Sequence, residues 1–119
     1  MDYYGSFGDS KANALERMQP VLDSVLEAHE TGDYALFRAL VTDAFADKVS
    51  ERGFKQAREA MHPRLGELVS MHFLASLRRG VNPMLVFVAR YGNTEDDVLI
   101  QATFRNGTYP PKLDALWIE

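Results

Sequence analysis

The spacing of apolar residues changes once along the chain, near Gly66. Before this glycine, apolar side chains recur every three or four residues, which is the period of an amphipathic helix. After it they alternate with polar side chains, which is the period of a half-buried strand. This order predicts an α+β fold in which three N-terminal helices pack on one face of a curved four-stranded antiparallel sheet.

The first predicted helix spans about residues 10–30. Either Asp9 or Ser10 can cap its start, because their side-chain oxygens accept the unpaired amide hydrogens there, and Gly32 suits a left-handed stop. Pro20 lies off the apolar stripe, so the pattern predicts a kink or a helix that begins only at this proline. The stripe itself consists of Leu15, Met18, Leu22, Val25 and Leu26.

The second predicted helix is short and begins after Asp33, a natural N-cap. Phe45 and Val49 are expected to continue the core through a loose connection. The buried stripe of this helix consists of Tyr34, Phe37, Leu40 and Val41.

The third predicted helix begins after Ser50, a further cap candidate. Pro63 disfavours helical geometry at His62, and Gly66 completes the stop. The side chains expected to face inward are Phe54, Ala57 and Met61.

The predicted strands span about residues 67–78, 83–91, 97–105 and 112–118, with turn residues between them. Pairing Tyr91 with Val98 sets Ala89 against Ile100, and one face of the sheet then becomes almost wholly apolar. The residues predicted on this helix-facing side are Val69, Met71, Phe73, Ala75, Leu77, Leu85, Phe87, Ala89, Tyr91, Val98, Ile100, Ala102, Phe104, Leu113, Ala115 and Trp117.

The other face is mixed, with more aliphatic residues than a solvated face needs. We expect a homodimer that forms sheet against sheet; the alternative is a solvent face with scattered apolar residues. Ser70, Ser76, Met84, Arg105, Asp114 and Ile118 are also predicted on this face. The residues predicted at the dimer interface are His72, Leu74, Val86, Val88, Arg90, Leu99, Gln101, Thr103 and Leu116.

Composition narrows the possible functions. The 119 residues suit a single domain, residues 10–119, after a flexible end at residues 1–9. There is no cysteine, which excludes disulfides and thiolate chemistry, and the net charge of −4 disfavours nucleic-acid binding. No apolar run has the length of a membrane span. The chain also lacks a signal pattern, so a cytoplasmic location is expected, although a protein whose signal peptide had been removed would look the same.

Three segments carry a resemblance to a known family: HETGDYALFRALVTDAF, MHPRLGELVSMHF and IQATFRNGTYPPKLDALWIE. With the order of elements, they resemble the NTF2-like, or cystatin-like, superfamily over roughly residues 12–119. The Leu65-Gly66 step and the tryptophan in the last strand are similar to its DUF3887-like bacterial branch. The resemblance implies a cone of helices and curved sheet around a pocket. Members include isomerases, dehydratases, cyclases, transport adaptors and domains without assigned activity, so the fold alone implies no function.

The resemblance also implies that an enzyme of this type would hold an aspartate, histidine or tyrosine inside the cone as acid or base. The predicted helix-facing side departs from that pattern, because Tyr91 and the Trp117 indole are its only protic groups. A helical partner would be needed, and Asp23, Glu27 and Asp43 are expected to be solvated. No catalytic residue and no cofactor are therefore predicted.

The histidines match no local metal motif, since His29, His62 and His72 lie 33 and 10 residues apart, and no metal site is predicted. His29 is expected to interact with the carbonyl end of the first helix as a partly positive group. Ser70 and Ser76 flank His72, and Asp114 could share their face, but we interpret this set as a polar stripe at an interface.

The aromatic residues should converge on one interior, which is either a filled core or a cavity for a small apolar ligand. The sequence therefore indicates a non-catalytic, homodimeric module for ligand binding or protein interaction. The alternative is a small isomerase or hydratase that acts on a hydrophobic substrate in the cone. The residues predicted to line the pocket are Tyr34, Phe37, Met61, Met71, Phe73, Phe87, Tyr91, Phe104 and Trp117.

Overall fold

A computed structural model describes residues 2–119 and confirms the α+β class. Within these residues, a short 3-10 helix (Gly5–Phe7) and four α-helices precede the strands: α1 (Lys11–Thr31), α2 (Tyr34–Leu40), α3 (Asp43–Lys48) and α4 (Glu51–Leu65). The strands are β1 (Leu68–Arg79), β2 (Asn82–Tyr91), β3 (Val98–Phe104) and β4 (Leu113–Ile118). They form an antiparallel sheet in the order β1-β2-β3-β4, with the core between its inner face and the helices.

Helix α1 begins and ends as the sequence indicates. Ser10 accepts a hydrogen bond from the Asn13 amide, and Gly32 adopts a left-handed φ of 74°. Pro20, however, neither starts nor interrupts the helix. Because Pro20 is exposed, water can solvate the carbonyl group one turn earlier, which the proline leaves without a partner.

The predicted loose connection after helix α2 is instead the short helix α3, so the expected count of three helices is one too low. The Thr42 hydroxyl caps it by accepting a hydrogen bond from the Phe45 amide at 3.2 Å. Asp43 lies in its first turn, where a negative charge is favourable. Thr42 and Asp43 thus begin a capped helix where the sequence predicts a loose connection.

Helix α4 extends through Pro63, which the sequence predicts as a helix breaker. The helix begins at the predicted cap, Ser50, whose hydroxyl accepts from the Gly53 amide. It ends at the predicted glycine, where the Gly66 amide donates to the His62 carbonyl at 2.7 Å. Pro63 lies in the last turn of the helix. The backbone hydrogen bond that proline cannot donate therefore costs little, because few helical hydrogen bonds follow it.

The pairing of β2 with β3 differs from the prediction by two residues. Val98 lies opposite Ala89 rather than Tyr91, and Ile100 lies opposite Phe87. Because side chains alternate with a period of two, this shift leaves every residue on its predicted face. Ala89, Val98 and Ile100 are accordingly buried.

Irregularities in β1 move some residues to the other face. The register shifts between Leu68 and Ser70 and again between Phe73 and Ala75, which leaves Val69 and Leu74 without opposite partners. After the second bulge Ser76 faces the core and is fully buried, so its predicted outward position is wrong. Ala75 and Leu77 now pair with outer-face residues of β2, against the prediction. Val69 is also exposed rather than inward.

A further bulge in β4 has the largest effect on the site. Thr103 pairs with Ala115 and Phe104 with Leu113, so Asp114 is the extra residue. The Asp114 carboxylate accepts from the Thr42 hydroxyl at 2.7 Å and from Arg105 at 3.0 Å. Beyond it, pairing with β3 brings Leu116 and Ile118 to the helix side and turns Ala115 and Trp117 outward, the reverse of the prediction.

The N-terminal segment packs against the sheet, where the sequence predicts a flexible end. Phe7 is fully buried and meets the ring of Phe104 edge-on at 6.0 Å. The Tyr3 amide donates to the Ser76 carbonyl at 2.9 Å, so the segment covers part of the free edge of β1. The aromatic side chains of this short stretch supply the burial that holds it, because a buried phenylalanine contributes roughly 2–3 kcal/mol.

Candidate functional site

An apolar groove lies where helices α2, α3 and α4 meet the end of β4. Helix α4 contributes Phe54, Ala57 and Met61, whose spacing of three and four residues places them on one helical face. Strand β4 contributes Leu116 and Ile118 because of the bulge at Asp114. A groove wall that spans a helix and a strand thus depends on one extra residue in that strand.

The groove has a volume of about 300 Å³, at the lower end of the range for small-molecule sites. Trp117 lies at its edge with 63% of its surface exposed. The lining is apolar except for one imidazole: His29, Phe37, Phe45, Val49, Phe54, Ala57, Met61, Leu116, Trp117 and Ile118.

His29 comes from the last turn of helix α1 and is half-buried. Its ring meets that of Phe54 edge-on, with centroids 5.7 Å apart. Burial lowers the pKa of His29, and the positive charge of Arg58 lowers it further, while Glu30 opposes both effects. The neutral imidazole is therefore favoured, contrary to the positive helix-capping role that the sequence predicts.

A small chamber lined by both polar and apolar residues adjoins the groove, and His29, Met61 and Ile118 belong to both walls. Its volume is about 20 Å³, enough for one water-sized group. The remaining lining residues are Leu26, Glu30, Arg58, His62, Leu65, Gly66 and Tyr91.

Tyr91 reaches the chamber from the end of β2 and is only 7% exposed. Among residues 2–119 its hydroxyl has no hydrogen-bond partner. Burial raises the pKa of Tyr91 to about 12, and the negative charge of Glu30 adds to the effect. The phenol therefore stays protonated near neutral pH and is available as a hydrogen-bond donor.

Sequence reasoning overlooks the two ionic residues of the chamber, Glu30 and Arg58. Glu30 Oε1 accepts from the Leu68 amide at 2.7 Å, and Arg58 Nε donates to the Glu30 carbonyl at 2.7 Å. Glu30 lies next to the end of α1 and Arg58 in the middle of α4, and nothing in the sequence indicates that the two residues meet. Asp23, Glu27 and Asp43, which the sequence predicts as solvated, are exposed.

Only some of the predicted pocket residues meet at these two spaces. Phe37, Met61 and Trp117 line the groove, and Met61 and Tyr91 line the chamber. Phe87 and Phe104 lie inside the core. The other three predicted residues pack against that core and are half-buried: Tyr34, Met71 and Phe73.

The predicted interface residues mostly share the outer face of the sheet. Leu116 is the exception, because it faces the helices and lines the groove. Leu74 is a bulge residue with 61% of its surface exposed. The outer-face members are His72, Val86, Val88, Arg90, Leu99, Gln101 and Thr103.

The structure does not assemble the serine, histidine and aspartate set. Ser76 is turned inward and donates its hydroxyl hydrogen to the Tyr3 carbonyl, away from His72. Asp114 is already bound to Thr42 and Arg105. Within residues 2–119 no group of three or more histidine and carboxylate side chains could hold a metal ion. Over the same residues, none of the helices has the length and apolarity to span a bilayer.

Comparisons of the chain with protein-family models, with curated proteins and with solved structures found no match. The resemblance to the NTF2-like superfamily and to its DUF3887-like branch therefore stays a prediction from the sequence. The groove and its adjoining chamber are the features from which a function can be argued.

Proposed function

We propose that this domain is a non-catalytic module that binds a small apolar molecule in the groove. The observation that carries the proposal is the groove of about 300 Å³, whose walls are apolar apart from His29. An apolar concave surface gains free energy when a ligand displaces its water, at about 25 cal/mol per Å² of apolar area buried. The exposed Trp117 ring at its edge offers further apolar area to such a ligand.

Ala57 allows a direct test because it is exposed and lies in the groove wall. A57W is expected to fill the groove from the solvent side and to weaken binding of the neutral dye N-phenyl-1-naphthylamine at least tenfold. A60W is the matched control, since Ala60 is an exposed alanine of the same helix outside the groove lining. The measurement is dye fluorescence titrated against each folded protein.

The wild-type protein and A60W should take up the dye with similar affinity. No uptake by the wild-type protein would overturn the proposal. Equal uptake by A57W and the wild-type protein would place the dye elsewhere and would also overturn it.

We also propose that the chain forms a homodimer through the outer face of its sheet. Leu74 in β1 and Leu99 in β3 expose 61% and 38% of their surfaces. Exposed apolar side chains spread over one face mark association surfaces when they form a continuous patch. The half-buried Val88, opposite Leu99, connects β2 to this patch.

A small isomerase or hydratase is the second candidate function, because His29 contributes a largely neutral imidazole to an apolar wall. A neutral imidazole can accept a proton from a bound carbon acid. Deuterium uptake from heavy water into a groove-bound ketone, lost in H29Q, would support catalysis. A ketone that binds without exchange would contradict it.

A further inference from the structure

The Tyr91 hydroxyl makes no hydrogen bond within residues 2–119, although most of its side chain is buried. The side chain is 93% buried, yet no acceptor for its hydroxyl lies within residues 2–119. No buried side-chain nitrogen or oxygen atom of these residues lacks a partner, so the unpaired Tyr91 hydroxyl is in contact with water where it borders the cavity, and it can donate instead to a ligand group that displaces that water. The cavity it borders is the chamber beside the groove.

Other donors of the chamber are also unused. Arg58 donates Nε to the Glu30 carbonyl, and over the described residues its two terminal nitrogens make no hydrogen bond. The His29 ring nitrogens likewise have no partner in residues 2–119. The chamber therefore offers several N–H and O–H groups to a single acceptor atom.

Size and charge restrict that acceptor. A volume of about 20 Å³ admits one oxygen atom but not both oxygens of a carboxylate. The Glu30 carboxylate and the Arg58 guanidinium both lie in the wall, so their opposite charges offset each other and the chamber offers no excess positive charge to a negative ligand group. A neutral carbonyl oxygen meets both conditions.

We infer that the chamber receives the carbonyl oxygen of a neutral ketone, ester or amide whose apolar body occupies the groove. His29, Met61 and Ile118 line both spaces, which places the chamber beside the groove. The inference rests on the proposed function and specifies its ligand class. The Tyr91 hydroxyl donates the hydrogen bond that distinguishes such a ligand from a hydrocarbon of the same shape.

Two probes of nearly equal shape test this inference: 2-acetylnaphthalene, which has the carbonyl, and 2-isopropenylnaphthalene, which has a methylene group in its place. Their affinities are measured by displacement of N-phenyl-1-naphthylamine. Y91F is expected to weaken binding of the ketone by about three- to tenfold, the usual effect of one hydrogen bond, and to change the hydrocarbon less than twofold. Y109F is the matched control, because Tyr109 is exposed and outside both linings.

The possible outcomes separate the inference from the proposed function. If the dye does not bind the wild-type protein, the proposed function fails and the inference with it. If the dye binds but Y91F affects both probes equally, the inference is overturned while the groove stays a binding site. A loss confined to the ketone, absent in Y109F, supports the inference.

Discussion

At the scale of single residues, His29 combines two effects that act in the same direction. Its ring is half-buried against Phe54, which disfavours the charged form, and Arg58 adds a like charge. Glu30 acts in the opposite direction but does not outweigh them. A histidine at the end of a helix would ordinarily gain a proton more easily, so burial decides the outcome here.

This balance makes the stability of the protein depend on pH. The pKa of His29 is lowered from 6.5 on folding, so the unfolded chain binds the proton more tightly. The contribution of His29 to the free energy of unfolding is therefore complete above pH 6.5 and is lost as the pH falls through the lowered folded-state pKa. H29L is expected to lose less stability than the wild-type protein between pH 7.5 and 5, as measured by urea unfolding.

H72Q provides the comparison, since it removes the exposed imidazole of the outer face. Its loss of stability with falling pH should exceed that of H29L. If H29L and the wild-type protein lose stability in parallel over this range, the described surroundings of His29 do not control its proton binding.

Among the elements of secondary structure, the helix ends were predictable and the bulges were not. Ser10, Asp33 and Ser50 cap helices as expected, because capping depends only on neighbouring residues. The bulge at Asp114 depends on Thr42, 72 residues earlier, and on Arg105. The alternation of apolar and polar residues along β4 does not reveal these contacts. The faces of the last four residues of the strand were therefore predicted wrongly.

The outer face of the sheet leads to a prediction about assembly. Leu99 lies in β3, an inner strand of the sheet, and is exposed on this face. L99K is expected to convert a dimer into a monomer, because a buried lysine without a partner costs several kcal/mol. V81K is the control, since Val81 is 59% exposed in the turn between β1 and β2. Light scattering measures the mass of each protein.

A dimer mass for the wild-type protein and V81K, with a monomer mass for L99K, is the expected result. A monomer mass for the wild-type protein at high concentration would exclude the dimer. A dimeric L99K would exclude this face as the interface.

At the scale of the whole molecule, the sequence predicts the class of fold and the apolar interior well. The predicted pairing of β2 with β3 is wrong by two residues. Because this is an even number, each residue still lies on its predicted face of the sheet. The location of the groove was not predictable in the same way. It depends on the unpredicted helix α3, which supplies Phe45, and on the bulge that brings Leu116 inward.

The central claim is that an apolar molecule binds in the groove between helices α2–α4 and strand β4. The most direct measurement is a titration with 2-acetylnaphthalene followed by ¹H–¹⁵N NMR spectra. Trp117 is the only tryptophan, so its indole N–H gives a unique signal at the edge of the groove. We expect saturable shifts at Phe54, Ala57 and Trp117, with His72 and Val88 unchanged. Shifts at His72 and Val88 without shifts at Phe54 and Ala57, or no shifts at all, would contradict the claim.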